Sequence, residues 1–148
     1  MYNHILVSTD GSKLSEKAIR TACALASSIG AKVTGLFVVP PYVPPVYSEG
    51  MIHARAMSKS KYRASCRRAG REALAAVEVE SQAARVPFGS AILAAETPWE
   101  GIVQAAKSKK CDLIVMASHG RRGLAGLLLG SETTKVLTHS KIPVLVCR

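Results

Sequence analysis

Fifteen consecutive residues concentrate most of the chemistry this chain can offer. They run Ala117-Ser118-His119-Gly120-Arg121-Arg122-Gly123-Leu124-Ala125-Gly126-Leu127-Leu128-Leu129-Gly130-Ser131, between an apolar strand-like run and a helical pattern. Glycines let a backbone approach a phosphate closely, and the free amides and dipole of a helix N-terminus favour an anion there. Ser131 adds a hydroxyl and an amide, and Arg121 and Arg122 add positive charge. The competing reading is a loop with no ligand, but the placement at a strand end and a helix start favours the anion site. Other phosphate loops do not fit. A Walker turn needs a lysine before the hydroxyl residue, where Gly130 stands, and GxGxxG is absent. A second candidate is Asp10, in the turn Ser8-Thr9-Asp10-Gly11-Ser12 after the first apolar run. A carboxylate at a strand's carboxyl end can accept from ribose hydroxyls. The same residue could equally cap the helix that follows.

Other reactive side chains are less promising. His119 has no evident Ser or Cys nucleophile with a third orienting residue, so it reads as positional. His4, His53 and His139 show no metal spacing, and no metal site is expected. Cys23, Cys66, Cys111 and Cys147 form neither a CxxC pair nor a zinc cluster. They read as small buried hydrophobes in a reducing compartment. Trp99 and Met116 read as core residues.

The elements that must position these groups alternate. Ile5-Leu6-Val7 suits a buried parallel strand. Ala18, Ile19, Ala22, Leu25, Ala26 and Ile29 recur at helical spacing up to a stop at Gly30. Lys32 to Val39 forms a second strand, and Pro40, Pro41, Pro44 and Pro45 mark a loop beyond it. Tyr62, Cys66, Ala69, Ala73, Ala76 and Val77 indicate a long helix from about Ala56 to Ala84. Ala91 to Ala94 reads as a third strand, after Pro87 and Gly89. Thr97, Pro98 and Glu100 read as a capping box opening a helix that ends at Lys107, Lys109 and Lys110. Leu113 to Ala117 is a fourth strand, Ser131 can cap a last helix, and Pro143 to Cys147 is a fifth strand. The expectation is an α/β fold, an open parallel sheet of five strands with helices on both faces, forming one domain over residues 1–148. Ligands of such sheets gather at the carboxyl ends of strands where the winding reverses.

Bulk composition narrows the class. Hydrophobic residues make up 48% and charged residues 20% of the 148, an ordinary globular mixture. No apolar run reaches the roughly 18–20 residues that span a bilayer. Met1-Tyr2-Asn3-His4 leaves no room for a signal peptide, so a soluble, cytoplasmic protein is expected. The net charge is +10, and Arg55, Lys59, Lys61, Arg63, Arg67, Arg68 and Arg71 stand between Gly50 and Arg71 with no acid. Such a block reads first as a solvated helix face. It could also meet an acidic partner; with only Tyr62 interrupting it, nucleic acid is not favoured.

Taken together, the chain resembles the universal stress protein family over its whole length. The resemblance rests on Ile5 to Ser12, Asp112 to Gly120, Leu127-Leu128-Leu129-Gly130-Ser131, and Pro143-Val144-Leu145-Val146. Nucleotide-binding members carry Gly, two residues, Gly, nine residues, then Gly with Ser or Thr. Here the positions are Ala117, Gly120 and Gly130-Ser131, so alanine replaces the first glycine, and its methyl group could crowd the sugar. The resemblance implies a Rossmann-like fold of the adenine nucleotide alpha hydrolase type, binding ATP, AMP or ADP, with Mg²⁺ as a companion ion. It places Thr9 and Asp10 by the ribose or the ion, and Val38 by the adenine. Gly120, Gly130 and Ser131 hold phosphates, while Ala117, Ser118, His119, Arg121 and Arg122 complete the site. It further implies a stress-response regulator that at most hydrolyses ATP slowly, and a homodimer through the last strand. The alternative is a nucleotide-free dimeric interaction module acting through its basic helix. An ATP-pyrophosphate-cleaving enzyme would need Ser-Gly-Gly-x-Asp-Ser after the first strand, which Ser8 to Ser12 does not match.

Overall fold

Short apolar runs without alternation become the middle of a sheet covered on both sides. The structure, a computed structural model, describes residues 1–44, 57–120 and 129–148. Its strands are β1 (His4–Ser8), β2 (Lys32–Val39), β3 (Phe88–Ala94), β4 (Leu113–Ala117) and β5 (Val144–Cys147). They pair in parallel in the order β3-β2-β1-β4-β5. The helices are α1 (Lys13–Ile29), α2 (Lys59–Ala83), α3 (Pro98–Ser108) and α4 (Ser131–His139).

β1 and β4 sit centrally, so both of their faces are buried. Ile5, Val7, Leu113, Val115 and Ala117 pack with α1 and α2, while Leu6, Ile114 and Met116 pack with α3 and α4. The expected open, Rossmann-like sheet with helices on both faces is therefore the observed fold. From β1 the chain winds to β2 and β3, then crosses back to place β4 on the other side of β1. The winding reverses between β1 and β4, and the crevice past their carboxyl ends is the place where such folds take ligands.

The opposite end of the same strand pair is a clasp. The Asp112 carboxylate accepts from the amides of Asn3 (2.8 Å) and His4 (2.9 Å). Burial pushes that carboxyl up, but bonds from His4 and Asn3 outweigh it and hold it below the usual range. Burial, helped by the Asp112 charge, lifts the neighbouring Cys111 thiol to about 11. Such a thiol stays protonated and inert.

Several expected boundaries and caps move. α2 starts at Lys59 rather than Ala56, because the Ser58 hydroxyl accepts from the Lys61 amide at 3.3 Å. Its inward stripe is Gly70, Ala73, Leu74, Val77 and Ser81; Ala69 faces out. β3 begins at Phe88, three residues early, since Gly89 lies within an exposed edge strand rather than a turn. Thr97 makes no capping bond to an amide, and the N-cap of α4 is Gly130 rather than Ser131. Met116 is buried, but Trp99 is only half-buried, stacked 4.5 Å from the His139 ring. Cys23, Cys111 and Cys147 are buried as expected, whereas Cys66 is half-exposed. No helix among the described residues is long and apolar enough to cross a membrane.

Candidate functional site

The β1–α1 turn and the end of β4 face each other across the switch point. The amide of Thr9 donates to the Leu36 carbonyl (2.9 Å), continuing the β1–β2 ladder one residue further. The chain then turns at Gly11, whose φ of +77° favours glycine. The Thr9 hydroxyl accepts from the Gly11 amide (3.0 Å) and pairs with the Ser15 hydroxyl (2.9 Å), so it is committed to the turn. Ser12 caps α1 through the Ser15 amide, and the Asp10 Oδ1 accepts from the Ser12 amide at 3.0 Å. Asp10 thus serves the turn with one oxygen. Its other oxygen, Oδ2, lies where a Cβ on Gly120 would approach to 3.0 Å, so a side chain there would make the carboxylate give way by a few tenths of an ångström.

On the far side, the end of β4 is tied to the start of α4. The Gly130 amide donates to the Ser118 carbonyl at 2.8 Å. A Cβ on Gly130 would stand 3.2 Å from that carbonyl oxygen and 3.4 Å from the His119 Cα, tighter than ordinary contact. Thr133, buried in the first turn of α4, shares its hydroxyl proton between the Ala117 and Ser118 carbonyls at 3.1 and 3.0 Å. Sequence reasoning missed Thr133; a hydroxyl residue three past the Gly130 turn was its only signal. No side chain caps α4, and Ser131 at its first position is exposed. Uncapped first-turn amides at a glycine turn form an anion-binding end.

Glu132 also escaped the sequence reading. An acid in the first turn of α4 would repel an incoming anion, but its Oε2 accepts from the Trp99 amide at 2.9 Å. Its Oε1 accepts from Lys135 Nζ at 3.3 Å. The carboxylate is thereby occupied at the start of α3. His119 holds its Nδ1 at 3.1 Å from the Ser118 hydroxyl, while its Nε2 is buried and has no hydrogen-bond partner among the described residues. A buried polar atom left this way invites a ligand or ordered water.

Thr9, Asp10, Ser118, His119, Gly120, Gly130 and Ser131 are therefore on the elements that border one crevice. Ala117 borders it through its carbonyl, but its methyl group belongs to the core on the α1 side rather than to open space. The Val38 side chain is also turned away, packing on Gly101 of α3, where a Cβ would come within 2.8 Å. Its main chain is better placed. Leu36 offers its carbonyl to Thr9 and Val39 offers its own to Ala95, on opposite sides. By strand alternation the Val38 amide and carbonyl point to the β1 side, two residues past the last β1 pair. Arg121 and Arg122 lie outside the described residues, as do Arg55 and His53. Among the described residues, no three His, Cys, Asp or Glu side chains are grouped to hold a metal.

A five-stranded parallel sheet open at both edges, with a carboxylate, two glycines and an uncapped helix at its switch point, defines a Rossmann-like α/β domain. The family model of the universal stress protein family matches residues 1–148, and the chain belongs to that family. A universal stress protein of Thermus aquaticus, from the QAH/OAS sulfhydrylase 3' region, is 36% identical over 149 residues, covering 100% of both chains. The solved structure of MJ0577, a Methanocaldococcus jannaschii protein, superimposes with a TM-score of 0.79 at 24% identity, over 99% of this chain and 96% of its own. A universal stress protein solved in complex with cAMP is 25% identical, with a TM-score of 0.65, over 99% of this chain and 97% of its own.

Proposed function

We propose that this chain binds an adenine nucleotide, ATP, ADP or AMP, in the β1–β4 crevice and acts as a stress-response regulator rather than a bulk catalyst. One observation carries the reading: α4 starts without a side-chain cap at Gly130, directly beside the Asp10–Gly120 contact. Phosphates would lie on the amides of Gly120 and of Ser131 in the uncapped first turn of α4, with Ser118 and His119 Nε2 as further polar groups and Gly130 holding the turn through its bond to Ser118. Arg121 and Arg122 enter on the sequence alone, as neutralising charge. Asp10 would accept from the ribose, Thr9 would shape its turn, and the Val38 main chain would meet the adenine edge. Ala117 leaves the sugar its room, because its methyl group is committed to the core.

The cAMP complex of a relative supports an adenine nucleotide as the class of ligand. Mg²⁺ fits as a companion ion held by phosphates with Asp10, since that ion commonly takes one or two carboxylates plus substrate oxygens. A homodimer through the β5 edge fits the exposed Leu145 and Leu137. The cytoplasm is the compartment this reading implies.

The test is to purify the protein without added nucleotide, denature it, and identify what is released by chromatography, beside the Gly130→Asp variant. Adenine nucleotide from the parent and none from the variant supports the site. An empty parent that also fails to bind Mg-ATP on titration sinks it. The bet would then move to an interaction module working through the basic face of α2, whose Lys59, Arg63 and Arg67 pair with no acid among the described residues.

A further inference from the structure

A second hollow opens on the other half of the sheet's carboxyl edge, between α2 and the ends of β2 and β3. Its volume is about 690 Å³, within the range of pockets that hold small organic ligands. Val39, Ile92 and Ala94 line it from the sheet. Ile92 remains 37% exposed although it is a large aliphatic residue in a strand. One flank is a strut of two tyrosines whose ring centroids lie 5.5 Å apart. The Tyr62 hydroxyl donates to the Pro40 carbonyl (2.5 Å), and the Tyr42 hydroxyl donates to the Met57 carbonyl (3.0 Å). These bonds fasten the proline segment after β2 to the start of α2, so the hollow has a fixed wall.

The rim is cationic. Lys59, Arg63 and Arg67 recur every four residues along one stripe of α2, and all three border the hollow. No acid lines it. The two ion pairs among the described residues are Arg20 with Glu16 and Lys135 with Glu132, both elsewhere. The same cations also border a neighbouring depression of about 430 Å³ on their outer side, so their heads form the lip rather than the floor. An apolar floor beneath a cationic lip that pairs with no acid among the described residues complements a molecule with an extended apolar body and one anionic head.

We propose that this hollow is a binding site for an amphipathic organic anion of the long-chain carboxylate class. The aliphatic body lies on Ile92, Val39 and the tyrosine pair, and the carboxylate meets Arg63 and Arg67. The site stands apart from the β1–β4 crevice, since its lining includes neither Asp10 nor any residue of β4 or α4. It does not depend on the nucleotide reading.

Isothermal titration with dodecanoate, kept below micelle formation, tests it directly. Dodecanoate is expected to saturate one site per chain. Dodecyltrimethylammonium, with the same body and the opposite head, and inorganic phosphate, a head without a body, are expected to bind at least about tenfold more weakly. Reversing the lip with Arg63→Glu and Arg67→Glu should weaken dodecanoate at least about tenfold. An equal charge change at the C-terminal end of α3, Lys107→Glu with Lys109→Glu at its C-cap, should leave dodecanoate binding unchanged. Mg-ATP should not displace the chain. The proposal is overturned by absence of saturable binding, by equal binding of the cationic chain, by equal loss in the α3 control, or by displacement with Mg-ATP. That last result would make the hollow part of the nucleotide site. A circular-dichroism melt of each variant separates lost binding from lost folding.

Discussion

α3 and α4 lie on the same face of the sheet, and their first turns are treated in opposite ways. The start of α3 is closed from outside itself: the Trp99 amide donates to Glu132, which belongs to α4. The start of α4 carries no side-chain cap at all. The one acid that could have closed α4 has thus been lent to its neighbour. α1 and α2, on the other face, follow the ordinary solution, with Ser12 and Ser58 as caps. Orphan amides at a helix start must find partners in side chains, water or ligand. The contrast teaches that a helix start can be left open by diverting its acid to a neighbour, which is what the proposed phosphate site would need, and that the diversion leaves a trace in the neighbouring helix.

The largest effect should come from closing α4 by mutation. Gly130→Asp puts a capping carboxylate, with negative charge, against the Ser118 carbonyl and the His119 backbone. Nucleotide affinity should fall at least about a hundredfold, roughly 2.7 kcal/mol. A variant that still binds Mg-ATP within about threefold of the parent, measured by titration calorimetry, would detach phosphate binding from this helix.

Thr133→Val comes next. The swap keeps the shape but removes the proton shared by two buried carbonyls that join α4 to β4. Stability should drop by about 1–3 kcal/mol, read as a lower urea midpoint at unchanged slope. An unchanged midpoint would mean that α4 is docked by Val136 and its apolar neighbours alone.

Much of this arrangement was legible in the sequence, and the illegible part has a common cause. β1 and β4 announce themselves because strands buried on both faces read as unbroken apolar runs. The crevice followed from strand and helix alternation, and Asp10, Gly120, Gly130 and Ser131 border it. β3 was harder: its exposed edge carries Gly89 and little apolar signal, so its first three residues looked like loop. The diverted cap was invisible. Thr97, Pro98 and Glu100 form a good local signature, yet Thr97 accepts from no amide, and the Trp99 amide in the same turn is met by a residue 33 positions away. Thr133 and Glu132 lie in the last helix, and their partners are set by how that helix docks. Val38 was expected at the adenine from resemblance alone, and its side chain serves α3 packing.

Glu132→Ala separates the two helices in a single variant. Loss of the cap on α3 should lower stability by about 1 kcal/mol. Removal of an acid from the first turn of α4 should meanwhile leave nucleotide affinity equal or raise it by no more than about fivefold. A loss of affinity instead would mean that Glu132 holds the α4 turn in shape. Glu132→Gln keeps an acceptor for the Trp99 amide, and should therefore restore most of the stability without restoring the charge.

The smallest effect should come from the residue that looks most like a cap. The Thr97 hydroxyl donates to the Glu100 carboxylate at 2.9 Å rather than accepting from an amide, and both residues face solvent. An exposed side-chain pair of this kind adds at most about 0.5 kcal/mol. Thr97→Ala should therefore cost less than about 0.5 kcal/mol, whereas Ser12→Ala, which removes a cap that does accept from an amide, should cost about 1 kcal/mol. Equal losses in the two variants, measured by urea denaturation under one set of conditions, would mean that Thr97 caps α3 in solution. Glu132 would then be free to point at the ligand, and the opposition between the two helices would fail. A small loss for Thr97→Ala, together with a full loss for Glu132→Ala, fixes the cap on α3 as a property of α4.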